Sequence, residues 1–161
     1  MKSIPVFLAM ALLAMANAAS APQLKEGLWS VHTQTIDNPG NRKTEGTYKL
    51  CRNHAFDKSV ESRAKDVKGC TMVKESFENG VYSSETHCVI GATVLNSHGT
   101  TVFQGDASLR SESHSTYTPA LRGTSESLRI IDQKYEGSCP AGTQPGERTG
   151  ADGKIVHLWK H

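Results

Sequence analysis

Cys70 to Ile90 reads CTMVKESFENGVYSSETHCVI, and this stretch decides the fold class. Asn79-Gly80 at its centre is the strongest short-range turn signal, because both central residues of a type I′ turn need positive φ. Alternation on either side makes the flanks strands. A two-residue turn pairs Phe77 with Tyr82, Lys74 with Glu85 and Val73 with Thr86. One face then carries Val73, Phe77, Tyr82, Cys88 and Ile90, the other Lys74, Ser76, Ser83 and Glu85. A three-residue turn would pair Phe77 with Val81 and scatter charge over both faces. Because a slip of one residue turns every side chain over, the two-residue register is preferred.

That register has a covalent consequence. It places Cys70 and Cys88 on opposite faces, where they cannot bridge; only a slipped register sets them directly opposite, within disulfide range. The preferred pairing is therefore Cys51–Cys70, around a central loop, and Cys88–Cys139, tying the fourth strand to the last.

The same alternation extends outward in both directions. Leu28 to Ile36 sets Trp29, Val31 and Thr33 against Ser30, His32 and Gln34, and after the turn cluster Asp37 to Asn41 it resumes from Thr44 to Cys51. Between Asn53 and Val67 the period changes. Phe56, Val60 and Ala64 recur every four residues with Asn53 placed to cap, so one short helix is expected, with an irregular loop as the competing reading. Thr93 to Gln104 and Ala107 to Tyr117 flank Gly105-Asp106, a second hairpin that pairs Val102 with Leu109 and Val94 with Tyr117. After a break at Pro119 to Gly123, Thr124 to Glu136 is a last long strand through Leu128, Ile130 and Tyr135. Ile155 to Trp159 reads either as one more short strand or as a loose tail. The expectation is an all-β antiparallel meander of about seven strands with room for one short helix. Its sheet is curled or closed into a small barrel, and two disulfides hold it.

The amino terminus says how to read the cysteines. Lys2 precedes an apolar run from Ile4 to Met15 broken by Pro5, and Ala16-Asn17-Ala18 offers small residues at the positions signal peptidase reads. This is a secretory signal peptide, residues 1–18, too short for a membrane span. The remaining chain is read as one β domain over 19–147 and a carboxy-terminal tail over 148–161. Removing 18 of 161 residues leaves 143, and loss of Lys2 takes the formal charge from +2 to +1. That balance gives no pull toward nucleic acid or an anionic membrane. The mature chain has no second long apolar segment, so no membrane span is expected in it. An even number of cysteines in a small exported chain argues for disulfides and an oxidising compartment, here the periplasm. A zinc site on Cys51, His54, Cys70 and Cys88 is the competing reading, disfavoured by its irregular spacing.

Two stretches carry a resemblance. Leu24-Lys25-Glu26-Gly27-Leu28-Trp29 is similar to the opening strand of a bacterial family, and Tyr135-Glu136-Gly137-Ser138-Cys139-Pro140-Ala141-Gly142, with Pro145-Gly146, to its closing motif. With four cysteines in the same order, the chain resembles the exported proteobacterial proteins of domain of unknown function 3617 over about 23–147. Glu26 stands where that family often has Pro. The resemblance implies a periplasmic, disulfide-bonded, antiparallel β domain and no nameable activity. By it, Trp29 is a core anchor, Gly27 and Gly137 are strand-end glycines, and Cys139 is a staple.

Chemistry is sparse. There is no Gly-x-Ser-x-Gly, no His-Glu-x-x-His and no Gly-rich phosphate loop, so no catalytic residue is assigned, although His32, His98 or His114 would each serve as a base. The hairpin register separates His98 from His114, and His87 lies on a polar face, so no metal site or cofactor is assigned to the histidines. The charge run Glu61, Arg63, Lys65, Asp66 and Lys68 reads as a solvated helix face. The expected function is a non-catalytic module binding a small apolar ligand in the concavity of its sheet, lined by Trp29, Tyr48, Phe77, Tyr82, Phe103 and Leu109. A structural or protein-binding module of the cell envelope, acting through an open sheet edge on an envelope protein, is the first alternative. Periplasmic metal binding through histidines is the second.

Overall fold

The computed structural model describes residues 21–157. The expected signal peptide over 1–18, Trp159 and His161 lie outside the described residues. Nine antiparallel strands form one sheet in the order β3-β4-β5-β6-β7-β1-β2-β8-β9. They are β1 (Gly27–Asn38), β2 (Arg42–Arg52), β3 (Cys70–Glu78), β4 (Val81–Ile90), β5 (Thr93–Gln104), β6 (Ser108–Leu121), β7 (Thr124–Gly137), β8 (Glu147–Gly150) and β9 (Ile155–His157). The expected meander is present, and the tail adds two strands where one short strand or a loose tail was expected. The sheet does not close into a barrel. Instead β7 folds back to pair with β1, so an opening lies between β3 at one edge and β2, extended by β8 and β9, at the other.

One helix, α1 (His54–Lys65), spans that opening. Asn53 caps it as expected, its side chain accepting from the Phe56 amide at 2.8 Å. Near its start Asp57 pairs with Arg52 of β2 at 2.8 Å, and at its end Lys65 reaches Glu75 of β3 at 3.7 Å. A flat sheet would hold β2 and β3 about 29 Å apart, six strand spacings. Asp57 and Lys65 are separated by only about 12 Å of helix rise. The sheet is therefore curled toward the side on which α1 lies. The helix itself buries nothing: Val60, expected on its apolar stripe, is 38% exposed.

Cross-strand register assigns each side chain to a face. The concave face carries Trp29, Val31, Thr33 and Thr35 of β1 opposite Leu50, Tyr48, Gly46 and Thr44 of β2. On the other flank of β1 it carries Tyr135, Gln133, Ile131 and Arg129 of β7. Leu109, Ser111, Ser113 and Ser115 follow on β6, then Phe103, Thr101, Gly99 and Ser97 on β5, and Tyr82, Ser84 and Thr86 on β4. The convex face carries Lys49, Arg110, Glu112, Asp132 and Lys134, tied by exposed ion pairs such as Arg110 with Asp132 at 2.9 Å. Leu128 and Ile130 sit on this convex face and Tyr135 on the concave one. Strict alternation forbids the three from sharing a side.

Two registers differ from expectation. At the β3–β4 turn Asn79 and Gly80 have φ of 52° and 78°, and Phe77 faces Tyr82 and Lys74 faces Glu85 as expected. Beyond them Val73 bulges out, 63% exposed, so that Met72 rather than Val73 faces Thr86 and Cys70 faces Cys88. A bulge inserts one residue into one strand and so shifts the register without moving the turn. The disulfides are accordingly Cys70–Cys88 and Cys51–Cys139, which corrects the expected Cys51–Cys70 and Cys88–Cys139. With all four cysteines bridged, the zinc reading with His54 is excluded.

In the β5–β6 hairpin the loop is three residues, Gly105 to Ala107, so Phe103 and not Val102 faces Leu109, and Leu95 and not Val94 faces Tyr117. Tertiary contacts hold this loop: the Lys25 amide donates to the Asp106 carbonyl at 3.0 Å and the Tyr135 amide to the Ala107 carbonyl at 2.8 Å.

Candidate functional site

The concave face divides into a closed base and an open trough. At the base Trp29, fully buried, packs with Leu24, Leu109, Phe103 and Tyr135. The segment before β1 closes this end. Leu24 inserts into the cluster, the indole N–H of Trp29 donates to the Lys25 carbonyl at 2.9 Å, and the His54 ring bonds the Leu24 carbonyl. Arg52 lies over the Trp29 ring at 5.0 Å and donates to Gln133 at 3.0 Å. The chain leaves β7 at Gly137, crosses the end of β1 and is fixed to β2 by Cys51–Cys139. A Cβ on Gly27, whose φ is +138°, would sit 2.2 Å from the Gly137 carbonyl oxygen, so only glycine fits that crossing.

Away from the base the same face changes chemistry. Thr33, Thr35, Ser97, Thr101, Ser111, Ser113, Ser115 and Ser127 stand half-buried in adjacent rows, and no protein layer covers them among the described residues. Some hydroxyls pair across strands, Thr101 with Ser111 at 2.8 Å and Ser97 with Ser115 at 3.0 Å. Ile131, Leu95 and Tyr117 supply the apolar surface between them. Toward β3, Tyr82 donates to the Glu75 carboxylate at 3.0 Å; burial first and that bond second raise its hydroxyl above the usual tyrosine range.

All six expected lining residues fall on this concave face, but not in one place. Trp29, Phe103 and Leu109 belong to the packed base. Phe77 meets Phe103 edge-on at 6.0 Å, Tyr82 faces the trough, and Tyr48 lies under Arg148 at 4.8 Å beside β8. Arg129, exposed in the trough, and the half-buried hydroxyls around Gly99 were not singled out from sequence. The signal was available, since a strict period of two through β7 puts Arg129 and Ile131 on the Tyr135 side.

The histidines lie elsewhere. His32, His87, His98 and His114 are on the convex face. The three-residue loop brings His98 directly opposite His114, correcting the expectation that they are kept apart. His114 stands 3.8 Å from Glu126, and His87 bonds Asn96 at 2.8 Å. Among the described residues no group of three histidine, cysteine or acidic side chains is placed to hold a metal ion. Further depressions are open to solvent. One of about 510 Å³ lies between residues 21–24 and the start of α1, walled by Arg52, His54, Asp57 and Lys58.

No family model matches the chain, and no curated protein matches it. Two disulfides indicate an oxidising, extracytoplasmic compartment. No helix among the described residues is long and apolar enough to cross a membrane.

Proposed function

We propose that this is a non-catalytic periplasmic β module that holds a small ligand in the trough of its curled sheet. The observation that carries the reading is an uncovered concave face. One side of a sheet normally packs on a second layer, whereas among the described residues the one helix on that side has no buried residue of its own. Two strand-interior glycines add to it. Gly46 and Gly99 sit on the concave face without positive φ, and a Cβ at Gly99 would press on the Ser84 hydroxyl at 3.3 Å, which would have to shift slightly. Glycine weakens a strand, and in strand interiors it often marks close approach by a ligand. The motifs that resemble domain of unknown function 3617 meet at the base, Trp29 opposite Tyr135 and Cys51 bridged to Cys139, which suits a scaffold role for them.

The test uses Nile red, a neutral dye that brightens in apolar surroundings. The wild-type protein should enhance and blue-shift its emission. Gly99→Leu should abolish that gain while still melting cooperatively, and Val102→Leu on the convex face should leave it intact. Equal dye binding in all three proteins refutes the trough. Native mass of protein taken from the periplasm complements this, because a non-covalent adduct lost on denaturation would give the natural ligand's mass.

A further inference from the structure

We infer that the trough selects anionic amphiphiles, with Arg129 gripping a carboxylate head while the chain runs toward the Trp29 end. This rests on the trough being a ligand surface and adds the ligand's class. The other strand charges on the concave face are answered within the protein. Arg42 pairs with Asp37 at 2.7 Å, Arg52 with Asp57, Glu75 with Lys65 and Tyr82, and Arg148 stacks on Tyr48. Arg129 is exposed and has no carboxylate, hydrogen-bond or ring partner among the described residues. It faces Ser113 on one side and Thr35 on the other, and neither hydroxyl has a side-chain partner there. Gly99, next beyond Ser113 in the same row, leaves that row open.

The chemistry of this row is specific. A guanidinium presents a planar fork that matches a carboxylate, and two flanking hydroxyls extend it. One cation balances one carboxylate charge, whereas a phosphate dianion would leave charge unanswered. Along β7 from Arg129 to Tyr135, about 20 Å at the usual strand rise, the concave face presents Ile131 and Gln133 before the aromatic base. A polar head at Arg129 and an apolar tail over Ile131 toward the base follow that gradient. The class is a single-chain fatty carboxylate.

The experiment measures displacement of Nile red by laurate and by dodecanol, of equal chain length and different head, at low ionic strength. Laurate should displace the dye at about fivefold lower concentration, the scale of one exposed ion pair, and the advantage should shrink with added salt. Arg129→Gln should bring the laurate-to-dodecanol ratio to about one, Arg129→Lys should retain part of it, and Arg129→Glu should reverse it. Thermal melts of each variant confirm folding. An unchanged ratio in Arg129→Gln overturns the inference. Equal displacement by the two compounds in the wild-type protein overturns it as well while leaving the trough standing. Absence of dye binding altogether removes both.

Discussion

The two sides of the opening are built differently. At the β7–β1–β2 side the sheet is sealed. Trp29, Val31, Leu50, Cys51 and Leu109 are all buried, the segment before β1 is bonded across the base, and a disulfide spans 88 residues of sequence. At the β3–β4 side only Cys88 and neighbouring Thr93 are buried. Val73, Val89 and Ile90 are 63%, 53% and 45% exposed, and the disulfide closes a local hairpin of 18 residues. A single-layer sheet cannot bury both of its faces, so its apolar side chains are concentrated at one end. The other end is left to a local covalent clamp and to charges on the edge strand, Lys74, Glu75 and Glu78, which discourage pairing with another chain.

If that contrast is right, Cys51–Cys139 matters most. In the chain-entropy model its loss costs about 4.6 kcal/mol, against about 3.2 kcal/mol for Cys70–Cys88. Cys51→Ser with Cys139→Ser should therefore unfold at markedly lower urea than Cys70→Ser with Cys88→Ser. A reversed order would mean that the less buried side sets the stability. Trp29→Ala falls between them, at about 4 kcal/mol for emptying a large buried aromatic site. By contrast Phe77→Ala, at the partly exposed rim, should cost less than half as much by the same measurement.

How much of this was legible in the sequence follows the same divide. The β3–β4 turn could be read because Asn79-Gly80 is local backbone chemistry. The bulge at Val73 could not, because it reconciles that turn with a disulfide at the hairpin's far end, and a pairwise register argument admits only one offset. The β5–β6 loop was missed for a related reason. Its last two residues, Asp106 and Ala107, are held by the amides of Lys25 and Tyr135, far away in the chain. Period-two alternation put Phe77 and Tyr82 on one face. The expected Val102–Leu109 pairing would have set Leu109 on the opposite face from Phe103, and only the three-residue loop brings all six lining residues to one side. Nor could alternation say which of them would be sealed in the base, since that depends on Leu24 arriving from outside the sheet. Alternation could place Arg129 on the Tyr135 side, but its lack of a partner is a property of the folded arrangement and not of the residue.

The smallest expected effect tests whether burial rather than charge secures the stronger side. Lys49 and Glu136 pair there on the convex face, and the hydrogen bond from Lys49 holds the Glu136 carboxyl below its ordinary value of 4.5. A depressed carboxylate pKa contributes stability that is present above the ordinary value and lost as pH falls through the lowered one. The pair is solvated and screened, so little is at stake. Glu136→Gln should leave the thermal midpoint at pH 7 almost unchanged and slightly flatten its fall in acid. In the same series Trp29→Ala should lower the midpoint at every pH. A large drop for Glu136→Gln at neutral pH would assign the strength of that side to its surface charges and undo the contrast between a sealed base and a clamped rim.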